Sequence, residues 1–151
     1  MRNSVIIFFI GICFSRVDIY EIKCMGLKVA ECETNISDTL INDNLFIKLD
    51  YKVKSASFMK WFFNVNNQYI TLIDNNNNID FFSKHTSQPG LEDQKIKTIK
   101  ENKIIKYLNS NDVISKNECN IFSLLYLIAS NKKDLDYVKL DREGKKYNCK
   151  V

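Results

Sequence analysis

The residues of this chain best suited to chemistry are five cysteines and a single histidine. His85 sits in the polar run Lys84-His85-Thr86-Ser87, far from any cysteine and outside any serine- or cysteine-nucleophile motif. A general base needs a partner within hydrogen-bond reach; His85 reads instead as a surface histidine. A structural zinc site needs closely spaced pairs, and no Cys-x2-Cys is present, so no metal is expected. Four glycines spell no phosphate-cradling loop, and the carboxylates are scattered. The expectation is a protein that is not an enzyme, needs no cofactor and works by binding.

The cysteines point to staples. Met1-Arg2-Asn3 is a positive leader, residues 5–14 are apolar, and Cys13 and Ser15 place small side chains where a signal peptidase reads, so residues 1–15 are expected to be a signal peptide. The apolar run is too short for a stable bilayer anchor. The remaining segment, 16–151, has the size of one domain. Loss of Cys13 leaves Cys24, Cys32, Cys119 and Cys149, an even number in an oxidising compartment, and predicts two disulfides with three possible connectivities. Asn35-Ile36-Ser37 is a glycosylation signal and predicts a surface segment. The net charge of +4 is spread along the chain without a basic block interleaved with aromatics, which sets nucleic acid aside as a partner. With no second hydrophobic span, the protein is expected to be secreted, extracellular and free of the membrane once the signal is removed.

The elements that would carry a binding surface centre on 45–72. Leu45, Ile47, Leu49 and Tyr51 alternate with more polar positions, the period of a strand buried on one face. Phe58-Met59-Lys60-Trp61-Phe62-Phe63 is an aromatic run suited to a pleated surface, and 69–73 supplies a third strand. Residues 18–29 read as a short edge strand and 33–44 as a loop; 74–78 is an asparagine-rich turn, 79–82 a further strand, and Gln88-Pro89-Gly90 a turn. Residues 93–108 fit neither period cleanly, and 118–129 fit a buried helix or a strand equally. Tyr137-Val138-Lys139-Leu140, a turn over 141–144, and a strand entered at Lys146 close the chain. Successive short strands around one tryptophan predict an all-β, antiparallel β-sandwich.

The order of strand, acidic turn with glycine, and Tyr147-Asn148-Cys149 resembles the corner of an immunoglobulin domain at which a tyrosine precedes the cysteine, and Trp61 then matches the tryptophan of the central strand. Within that superfamily the chain is most similar to the secreted interleukin-18-binding proteins of vertebrates and poxviruses, through Lys23 to Val29, Ser57 to Trp61 and Tyr69 to Leu72. The resemblance implies an immunoglobulin-like sandwich with Trp61 in its core and a decoy that covers a host cytokine, interleukin-18 first, through Phe58, Lys60, Tyr69 and Ile70, with Phe62 adjoining. It departs from the family where Lys60 replaces an aromatic, where Leu49 stands near the position of a strand cysteine, and at Val151, two residues past Cys149, where a final strand is absent. Two other expectations stand beside it: a small helical cytokine-like factor with helices over 93–108 and 117–132, and a degenerate secreted protein without activity.

Overall fold

The computed structural model describes residues 15–102, 104–131 and 136–150. The apolar leader, 1–14, lies outside the described residues, and the proposed cleavage point Ser15 is the first residue of a strand. Eight strands run in chain order: β1 (Ser15–Cys24), β2 (Leu27–Ile41), β3 (Asn44–Ser55), β4 (Asn66–Ile73), β5 (Ile79–Ser87), β6 (Gln94–Glu101), β7 (Ile104–Tyr107) and β8 (Val113–Ile114). They form one sheet in the order β1 to β8, each antiparallel to the next. A second, smaller sheet joins β9 (Glu118–Cys119), β10 (Tyr137–Arg142) and β11 (Lys145–Lys150), and α1 (Ile121–Ala129) lies between β9 and β10 in the chain.

The antiparallel all-β architecture is therefore present. Its strand order is a meander of neighbours in sequence, without the Greek-key exchange between sheets of an immunoglobulin domain. The tight turns explain the meander. Met25-Gly26 and Asn42-Asp43 are two-residue connections with positive φ at both positions, the turn whose twist matches antiparallel strands. The Asp74 carboxylate accepts from the backbone N–H of Asn76 (2.9 Å) and Asn78 (2.8 Å), so the asparagine run is a turn, as its composition predicts.

Register assigns the two faces of the sheet. Ile36, Leu49 and Thr71 stand side by side, as do Thr34, Tyr51 and Tyr69, and this face carries the core of Leu49, Tyr51, Ile73, Ile79, Phe82, Ile105, Tyr107 and Ile114. The opposite face carries Lys48, Asp50 and Lys52 on β3 with Gln68 and Ile70 on β4 and His85 on β5. Helix α1 and the small sheet cover the first face. Phe122 packs its ring on Tyr51 (centroids 4.9 Å apart) and Tyr69 (4.5 Å), while Leu124 and Leu127 bury against Val138 and Cys119. Asn120 caps α1 by accepting from the Ser123 N–H (2.9 Å), Ser123 Oγ accepts from the Asn120 N–H (3.0 Å), and Asn120 Nδ2 donates to Thr71 Oγ1 (2.9 Å), which fixes the helix start over the middle of β4.

Several expectations change here. Residues 33–41 are part of β2, not a loop; Cys32, Thr34 and Ile36 turn to the covered face in alternation, and β1 and β3 pair on either side. Gln94–Glu101 and Ile104–Tyr107 are the strands β6 and β7, so only one of the two helices of the helical alternative forms, as α1. Residues 137–150 are a hairpin within one small sheet, with Leu140 opposite Tyr147, so no corner between sheets is made. No disulfide is formed among the described cysteines. Cys24 lies opposite Leu27, whereas Cys32 is further along β2, roughly 17 Å at the strand rise, and a disulfide needs Cα atoms within about 7 Å. Cys119 and Cys149 are on β9 and β11, separated by β10, about 9.5 Å at two strand spacings.

Candidate functional site

The connection from β3 to β4 is the part of the chain whose form differs most from the strand its composition predicts. Instead of the middle one of three strands, 56–65 is a compact loop containing a single 3-10 turn, Met59–Trp61. A strand hides alternate side chains, and Phe58, Met59, Trp61, Phe62 and Phe63 do not alternate; a sheet covered on one face has no place for both sides of such a run. The loop closes on itself instead. Lys60 and Met59 N–H groups donate to the Ala56 carbonyl (3.2 and 2.9 Å), and Phe62 and Phe63 donate to Met59 O (3.0 and 2.7 Å).

Ser55 ties the two ends. Its hydroxyl donates to the Phe63 carbonyl (2.6 Å) and accepts from the Val65 N–H (2.8 Å), while its own N–H reaches Val65 O (3.1 Å). The neighbouring Ala56 N–H bonds to Val29 O of β2 (3.0 Å), which joins the loop to the first hairpin. The backbone is thus held, and the rings are presented. Trp61 is 90% exposed and Phe62 82%, with Phe58 and Phe63 about half exposed. The sandwich-core role expected for Trp61 is therefore wrong: the ring meets water, not an intersheet disulfide.

Two other connections lie at the same end of the sheet, as the registers Cys24↔Leu27, Lys54↔Asn66 and Thr86↔Gln94 require. The β1–β2 turn carries Met25, fully exposed, with Leu27 beside it, and the β5–β6 connection carries Leu91. Exposed single apolar residues are ordinary, but a contiguous set marks an interaction surface. Lys54 and Lys60 stand at this end and make no ion pair among the described residues.

The sequence-predicted partner residues do not converge. Phe58 and Lys60 are on the exposed loop. Tyr69 is on the covered face, stacked on Phe122, and its hydroxyl is pushed above the ordinary tyrosine value by burial, against a smaller lowering from Asn67. Ile70 points to the opposite face. Adjacent strand residues always diverge in this way, so the pair Tyr69 and Ile70 cannot share one interface. Asn35 lies on the open face of β2, its side chain accepting from Ser15 Oγ (3.0 Å). His85 is exposed on that same face. Among the described residues no group of His, Cys, Asp and Glu could hold a metal ion, and no helix is long and apolar enough to cross a membrane. The signal in the sequence that marks the loop is the lack of alternation across 58–63. No family model, curated protein or solved structure matches the chain.

Proposed function

We propose that this is a secreted, non-catalytic binding module that docks a protein partner through the aromatic loop 56–65. The observation that carries the reading is the nearly complete exposure of Trp61 and Phe62 on a loop whose backbone is already fixed through Ser55. Pre-ordered aromatic side chains are the usual anchors of protein interfaces, because they bury large area at small entropic cost.

A host cytokine is the proposed partner class, with interleukin-18 first to test. Of the three sequence patches that resemble its binding proteins, Lys23 to Val29 and Ser57 to Trp61 lie next to each other at this end of the sheet. The proposed contact set becomes Phe58, Lys60, Trp61 and Phe62, with Tyr69 and Ile70 removed from it. Blocking a receptor this way needs no chemistry.

Trp61 is the sole tryptophan, so its emission reports on this loop alone. Titration of the mature protein with interleukin-18 is expected to shift that emission to the blue, and the double variant Trp61→Ala, Phe62→Ala is expected to lose binding to the immobilised cytokine. A folded, β-rich protein that gives no shift would overturn interleukin-18 as partner, and a double variant that binds as tightly as the parent would overturn the loop.

A further inference from the structure

Away from the aromatic loop, the two layers fail to meet completely, leaving a half-open cleft of about 420 Å³ between β4, β5 and β7 below and the start of α1 and the end of β10 above. That volume lies in the range of small-molecule sites, roughly 300–1,000 Å³. Four rings line it in two pairs. Tyr69 and Phe122 stack at 4.5 Å with 32° between their planes, and Phe82 meets Tyr107 edge-on at 6.5 Å and 78°. The body of a ligand here would therefore be flat and apolar.

The charged side chains around the cleft are paired, with one exception. Asp141, wholly buried, accepts from the Tyr107 hydroxyl and from Lys146 Nζ (2.7 Å), and that lysine is shared with the Glu118 carboxylate. At the mouth, Lys84 Nζ contacts Glu143 Oε1 (2.7 Å) and Gln94 Oε1 (3.1 Å), which pairs the Lys84 and Glu143 charges. Arg142, also at the cleft, has no carboxylate partner among the described residues. Arg142 thus stands beside an aromatic cleft without an ion-pair partner among the described residues, and a guanidinium is the side chain best shaped to take a carboxylate or similar planar anion through paired hydrogen bonds.

We propose that this cleft binds a small amphiphilic anion, with an aryl or similar flat apolar body between the two ring pairs and an acidic head on Arg142, next to Lys84. The site is separate from the loop proposed for the protein partner. It makes use of Tyr69 and Phe122, which the partner surface does not.

The test is calorimetric titration of the mature protein with naphthalene-2-carboxylate and with its neutral isostere naphthalene-2-carboxamide, repeated on Arg142→Gln and Trp61→Ala. Arg142 is exposed, so circular dichroism of its variant should match the parent. The carboxylate is expected to bind about tenfold tighter than the amide, as one charge-assisted contact implies. Arg142→Gln should erase that difference, and Trp61→Ala should leave both affinities unchanged. The proposal is overturned if neither compound binds, if both bind equally to the parent, if Arg142→Gln leaves the preference intact, or if Trp61→Ala removes binding. None of these outcomes bears on cytokine binding, which is read independently.

Discussion

Replacing Trp61 and Phe62 by alanine removes ring surface that already faces water, so the unfolding free energy in urea should change by less than about 0.5 kcal/mol. Partner affinity, measured by surface capture, should fall roughly 30-fold, the equivalent of about 2 kcal/mol for lost interface anchors. Tyr69→Ala should behave in the opposite way. Its ring fills the space beneath Phe122, and the truncation should cost about 2 kcal/mol of stability in the same urea experiment while leaving partner affinity unchanged. Equal loss of affinity in both variants would place the interface elsewhere. The residues themselves do not distinguish these roles, since Tyr69 and Trp61 are both aromatic residues beside apolar neighbours. What separates them is that β4 pairs on both sides and loop 56–65 does not.

At the scale of the element, loop 56–65 depends on one side chain. Ser55 is buried and satisfies the Phe63 carbonyl and the Val65 N–H together, so Ser55→Ala leaves two backbone groups seeking water. The loss should be about 1–2 kcal/mol, concentrated locally. Amide hydrogen exchange of 56–65 should quicken while that of β3 and β4 stays slow, and partner affinity should drop because the aromatic side chains must then be ordered on binding. Unchanged exchange would show that the loop holds its shape without Ser55. The strands on either side are legible from alternation; the helix is not, because residues 121–129 are apolar almost throughout. Their helical form is settled by the Asn120 cap and by Phe122 meeting two strands at once.

At the scale of the whole molecule, the small sheet is tied to the large one around Lys146. Its ammonium contacts Asp141 and Glu118, while Tyr107 of the large sheet donates to Asp141. Burial alone would raise the Glu118 carboxyl, but Lys146 and the Ser115 N–H outweigh it and hold it below the ordinary 4.5. Burial alone would lower Lys146, but Asp141 and Glu118 outweigh it and hold it above 10.5. A lowered carboxyl stabilises fully above its ordinary value and loses that contribution as pH falls through the folded one. A raised ammonium stabilises fully below 10.5 and loses its contribution as pH climbs through the folded value. Thermal stability should therefore be flat between these limits and fall in acid and in strong alkali. Lys146→Met should lower stability by about 2 kcal/mol, less than a fully buried pair because water reaches the ammonium, and should move the acid decline to higher pH. A parent-like acid limb in that variant would remove Lys146 from the account. The cysteines add a second whole-molecule test. Disulfide mapping of the unreduced protein should find neither a Cys24–Cys32 nor a Cys119–Cys149 bond; either one would contradict the registers. By itself the sequence determined the antiparallel strands β3, β4 and β5, the asparagine turn and the presence of two strands with a turn between them at 137–149, though not their pairing as a hairpin, because alternation and turn chemistry are local. The order of the strands, the exposure of Trp61, the burial of Tyr69 and the separation of the cysteines were decided only in the tertiary structure, because each depends on which strand lies alongside and which face α1 covers, and neither is encoded within a short window.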